Sequence, residues 1–327
     1  MTAENALLKY ESGRSFVPMV ALTDSGDHTL FTSAAELWSG RAGAAPVVRP
    51  NGLLTGGAVI PAVAAGNNNV DTAALTCNLA GVKTTVNAST NNAITRPATN
   101  VSKVNSITVN SGGAIAVVAG TDGSTTAFSE TRAAAGGPPL IPVGSIEIAQ
   151  VRVTTSAAAV ITAAQIFSVP GVHKELALEP IFTVDSKTGN ITFASALPLI
   201  HTGVIAKAVY AEYYEPIFAD IPIASDFVPS ANSHTVNSKQ YYGTTRGSVA
   251  SSLGQGSFTV VLNDGINDPF LQEEDQTIWF QFFPDRYQGS YILDQGKLGI
   301  KMSFPPGDDI TAACTVSTRE KHTKVSV

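Results

Sequence analysis

Apolar and β-branched residues recur along this chain in short runs bounded by glycine, proline and asparagine, the signature of short β-strands. Residues 16–22 read as one such strand. Pro18 lacks an amide proton, which places that strand at a sheet edge or puts the proline at a strand start. Further runs at residues 75–79, 82–86, 106–109 and 115–118 lie between glycine and asparagine turns. Residues 145–153 follow as a strand. Residues 181–185 and 191–193 then predict a hairpin, turning through Thr188, Gly189 and Asn190, where the glycine supplies the positive φ of a bulged turn. Residues 204–214 are long enough for a spanning strand. Near the end, residues 257–262, 277–283, 297–304 and 311–318 predict four more, the last two joined by Pro305-Pro-Gly-Asp-Asp309.

Helix signals are brief. Ser33 and Glu36 have capping-box spacing ahead of Trp38, with Gly40 and Gly43 as stops. Thr162 and Gln165 have the same spacing and predict a single turn. Asp268 is placed as an N-cap, with Pro269 at the first helical position and the acids Glu273, Glu274 and Asp275 behind it. The strongest punctuation is Gly136-Gly-Pro-Pro-Leu-Ile-Pro142, whose prolines lack ladder donors. It sets a boundary, so the expected organisation is an arm with a short helix over 1–50, an Ala/Thr/Asn-rich β module over 51–135, and a β-sandwich domain over 136–327. The fold class is mainly β, with short flanking helices.

Composition sharpens this picture. The chain has 327 residues, only 14% of them charged, with 28 glycines, 18 prolines and a formal net charge of −6. That charge is low against the usual ~25%, yet the pattern is not that of disorder. The expectation is an outer surface that meets protein rather than water. No apolar run approaches the ~20 residues of a helical membrane span. The first ten residues lack the basic and apolar regions of a signal peptide. Cys77 and Cys314 stand far apart among small and β-branched neighbours and read as buried thiols made in a reducing cytoplasm.

The search for catalytic chemistry is mostly negative. There is no nucleophile elbow, phosphate loop or dinucleotide fingerprint. The five histidines (His28, His173, His201, His234, His322) are scattered. Asp27 and His28 read as a solvated turn rather than metal ligands. The stretch Asn263 to Asp268 lacks the alternate carboxylates and distal glutamate of a calcium loop. Sequons at Asn87, Asn100 and Asn190 are coincidences of composition, and the mixed charges of Arg319 to Lys324 suit a tail. A carbohydrate-active enzyme would need paired carboxylates amid exposed aromatics, and the acids near Trp279 and Tyr287 are its thin basis. The expectation is no enzyme, no cofactor and no metal.

Three stretches carry a resemblance to phage virion proteins, and more narrowly to the major tail (tail tube) proteins of long, non-contractile-tailed phages. The first runs from Asp185-Ser-Lys-Thr-Gly189-Asn-Ile-Thr-Phe193 through Pro198 and Gly203 to Val209, Tyr210 and Tyr213. The second is Gly136-Gly-Pro-Pro-Leu-Ile-Pro-Val-Gly-Ser-Ile-Glu-Ile148. The third joins Gln255-Gly-Ser-Phe258, Gly296-Lys-Leu-Gly-Ile300, Phe304-Pro-Pro-Gly-Asp308 and the strand from Thr311 to Ser317. With Asp24 to Leu30 and Glu36 to Gly40, the likeness extends over most of the chain. Residues 51–135 depart from it and suit an inserted or decorating module on the outside. The resemblance implies a β-sandwich protomer in hexameric rings, or in trimeric rings of double-domain subunits. The rings stack into a tube in the virion tail, with tape measure, terminator and distal tail proteins as further partners. DNA would pass through without specific binding. An acidic or neutral bore avoids the grip that basic contacts exert on phosphates. Glu273, Glu274, Asp275, Asp308 and Asp309 are the candidate lumen or ring-contact acids. A receptor-binding, fibre or decoration protein of the virion is the alternative, although internal repeats and heptads are lacking.

Overall fold

The computed structural model describes residues 5–64, 66–242 and 244–326. The chain is mainly β, with 50% strand and 4% helix. It divides into two compact units, Met1–Val17 with Leu37–Pro46 and Tyr213–Val327, and Pro18–Glu36 with Val47–Glu212. The strands Leu7–Ala21 and Val209–Asp220 each contribute residues to both.

In the first unit the strands lie in the order Ala224–Val228, Gly256–Val261, Thr311–Thr318, Tyr291–Ser303, Thr277–Phe283, the Leu7 strand and the Val209 strand. The first and last of these are consecutive in sequence. They are linked only by Ile221, Pro222 and Ile223, which span at most about 11 Å. The sheet therefore curls on itself around one core of Leu8, Phe258, Phe270, Ile278, Phe280, Leu298 and Val316. Alternation specifies which face turns in: along Thr311–Thr318, Ala312, Cys314 and Val316 are buried between exposed neighbours. Burying each large side chain here contributes about 1.5–3 kcal/mol.

The second unit is a set of small antiparallel sheets. Ile115–Ala119, Lys103–Val109, Ile146–Val153 and Ile166–Phe167 form one, and Gly52–Gly56, Leu75–Leu79 and Val82–Val86 another. The predicted hairpin is present, Phe182–Asp185 pairing with Asn190–Phe193 across Gly189 at φ 61°. Leu30–Thr32 adds to it as a third strand.

The boundaries expected at 50/51 and 135/136 differ from this division. Ile107 pairs with Ala149, and one core joins Leu53, Val70, Cys77 and Ile107 to Ile146, Ile148, Val151 and Ile161. The proline-rich stretch lies inside the second unit, tied by bonds such as Gly136 N to Thr121 O and Ile141 N to Ile200 O. The strand expected at 16–22 is the end of a 15-residue strand. The one expected at 204–214 begins at Val209 instead.

The capping-box helix at Ser33 is not formed. The segment stays irregular, and Trp38, fully buried, stacks on Tyr213 at 4.7 Å. A single helical turn adds almost nothing on its own, so aromatic burial decides the local conformation. Among the described residues the helical elements are short 3-10 turns. Thr162 does close its capping box with Gln165, and Asp268 accepts from Phe270 N at 3.0 Å with Pro269 at the helix start.

Candidate functional site

The five singled-out acids do not form one site. Glu273 ends the Pro269–Glu273 turn, buried, with the Arg41 guanidinium 2.8 Å away. That contact is close enough for an ion pair but is not aligned as a hydrogen bond. Arg41 also approaches Glu11, which is fully buried and accepts from the Ser39 hydroxyl and from Trp279 N at 3.1 Å. Burial pushes the Glu11 carboxyl up, and the Ser39 and Trp279 bonds and the Arg41 charge oppose the shift. Trp279 itself is buried, its indole donating to Trp38 O at 2.8 Å, so it offers no exposed platform for a sugar.

Glu274 and Asp275 are exposed beyond the turn, Asp275 pairing with Lys297 at 2.8 Å. Asp308 and Asp309 are exposed on the loop between Tyr291–Ser303 and Thr311–Thr318. A second loop carrying Asp264 runs beside them: Leu262 N donates to Ile310 O at 2.9 Å. Residues 262–276 and 304–310 contain seven acids and no Lys or Arg. Among the described residues Asp264, Glu274, Asp308 and Asp309 have no ion-pair partner.

The sequence reading missed a second, inward-facing cluster. Glu147 is buried in Ile146–Val153 and accepts from the Arg132 guanidinium, the Ser106 hydroxyl and Gln150 Nε2. Glu147 N donates to Glu175 Oε2 at 2.8 Å, and Glu175 N donates to Glu147 O at 2.8 Å. Gly52 brings these strands together. A side chain there would place Cβ 2.5 Å from Ala177 N, and its φ of 148° is one that other residues rarely adopt. Lys207, also buried, donates to the Leu176 and Glu179 carbonyls. Burial raises the Glu175 carboxyl and lowers the Lys207 ammonium, each partly offset by the other's charge. These groups border a cleft of about 520 Å³. The free Glu175 oxygen, Oε1, is sealed from solvent with no partner. His201 is engaged elsewhere, with Nε2 2.9 Å from Ser145 O. The arrangement holds charges dry beneath a rim that exposes Val172 and Ile181 by 60 and 75%. Such a rim suits contact with protein.

A third feature was also missed. Asn232–Tyr241 and Thr244–Leu253 pair over ten rungs as an arm of the first unit. They form a two-stranded sheet of their own, and every side chain described on it is exposed. An isolated two-stranded hairpin is marginal in water. The arm carries Lys239, Arg246 and His234 with no Asp or Glu, and Lys239 stands directly opposite Arg246. The only sequence signal for it was Val236 and Val249 spaced evenly about positions 242 and 243 in a Ser/Thr background. That signal is faint because neither face is apolar.

His28 closes the turn flagged near Asp27, its Nδ1 2.7 Å from Asp24. Asp27 accepts from Thr29 N and Leu30 N, which hold its carboxyl below the usual range. Cys77 and Cys314 are buried, and burial raises their thiols to about 11 and about 12. No family model, no curated protein and no solved structure matches the chain.

Proposed function

We propose that this chain is a structural virion protein of a long-tailed, non-contractile phage, polymerising into stacked rings that form the tail tube and conduct DNA. The observation that carries the reading is the Asn232–Leu253 arm, a ten-rung ribbon that lacks a core and gains one only by lying on another molecule. Two further features support it. Only 14% of residues are charged, and large apolar side chains such as Val172 and Ile181 stand exposed. The three stretches resembling tail tube proteins give the assembly its form, rings of six copies or of three double-domain copies. The tape measure, terminator and distal tail proteins are its further partners.

The test is negative-stain microscopy of the purified chain over rising concentration. Rings or tubes with a bore wide enough for duplex DNA are expected. Plain monomers at high concentration would refute the reading, and isolated fibres would favour a receptor-binding or decoration role.

A further inference from the structure

We infer that copies of this chain join head to tail, the basic Asn232–Leu253 arm of one seating on the acidic end of the next, at Asp264, Asp308 and Asp309. The inference deepens the assembly reading and rests on it. Its geometry comes from one strand pair. Ala224–Val228 and Gly256–Val261 run antiparallel, with Val228 opposite Ser257 at one end. The arm leaves from that end, where Gly254 N donates to Ala231 O at 2.8 Å and Ser230 is pinned to Asp294 by two bonds of 2.8 Å. At the other end Val261 pairs with Thr311, and the Asp264 and Asp308–Asp309 loops depart side by side. Five strand steps separate the two ends, about 17 Å.

The arm itself carries only positive charge, and the 262–276 and 304–310 loops only negative. The arm holds two permanent cations and no acid, so the chain's net −6 resides elsewhere. Like charges directly opposite in a ladder are unfavourable. A neighbouring carboxylate cluster is complementary in sign to this arm. Because the complementary surfaces sit at opposite ends of one body, the contact is heterologous and can repeat from copy to copy. Ten rungs reach about 33 Å, ample to cross a junction between copies.

The experiment uses the full chain with charge reversals at exposed positions. K239E/R246E reverses the arm, and D308K/D309K reverses the end. Each alone should raise the concentration needed for assembly about tenfold or more, with an unchanged thermal melt. An equimolar mixture should recover assembly, because each reversed arm then meets a reversed end. The wild-type threshold should also rise between 0.15 and 1 M salt, where screening shortens from about 8 to 3 Å. Wild type that assembles while the reversals have no effect, or a mixture that fails to recover, overturns the head-to-tail pairing and leaves the tube reading standing. Wild type that never assembles overturns both. Loss of binding to a short DNA duplex by K239E/R246E, with assembly intact, would assign the arm to nucleic acid and overturn the pairing.

Discussion

Glu175 illustrates how a single buried carboxyl couples this fold to pH. Its carboxyl is raised by burial above the ordinary 4.5. The folded chain therefore keeps a proton that the unfolded chain has released. Where the native state binds more protons, stability falls as pH rises, so the second unit loses stability from about pH 4.5 upward through the folded value. Lys207 has the opposite sign in alkali: its lowered ammonium means the unfolded chain binds more protons, and stability rises as pH climbs towards 10.5. Glu175→Gln should flatten the acid-side decline by about 2 kcal/mol between pH 5 and 8. Urea midpoints measured across that range check it, and parallel slopes for variant and wild type would contradict the assignment. None of this was visible in the sequence. Glu147, Glu175, Arg132 and Lys207 lie 15 to 75 positions apart, and only the pairing of Lys103–Val109 with Ile146–Val153 and the close pass at Gly52 collect them.

At the scale of elements, the arm and the body should separate cleanly. Replacing residues 232–253 by a short turn joins Ala231 to Gly254, which are already bonded. The arm buries none of its described side chains, so the melting temperature should stay within about 2 °C of wild type while assembly disappears. A truncated chain that unfolds, or one that still builds tubes, would show that the arm has a different role. The same contrast explains what was legible. Thr311–Thr318 was placed to the residue because its inward positions alternate and burial writes itself into a period of two, and Thr277–Phe283 because its run of β-branched and aromatic residues is unbroken. The arm has no inner face, so its Ser/Thr pattern carried no such mark. The helix expected after Ser33 failed for another reason: local capping is weak beside burial of an indole against Tyr213. The acids at 273–275 and 308–309 were noticed as clusters, but only the turn geometry separates buried Glu273 from its exposed neighbours.

For the whole molecule, composition misled where contacts decide. Residues 51–135 look like a separate module because charge vanishes there and prolines follow. Yet Ile107 and Val109 pack in the same core as Ile148 and Val151. Excising 51–135 should therefore abolish the cooperative melt of the second unit rather than leave a trimmed core, since removing half of a shared core exceeds a domain's total stability of about 5–15 kcal/mol. A deletion that keeps its melt and its near-ultraviolet signal would restore the module.

The pairing of Leu7–Tyr10 with Phe280–Phe283 also sets a clock. At roughly 5–20 residues per second, a ribosome needs about 15–55 s to travel from the first of these segments to the second. Throughout that interval the Leu7 strand lacks its Thr277–Phe283 neighbour, and that edge stays open to any other nascent chain. Lys9, Glu11, Arg14 and Pro18 interrupt that edge with charge and a missing donor, the devices that discourage premature pairing. The first unit closes only once residues 277–283 have emerged, so the assembly proposed above would be reserved for chains that have made that strand.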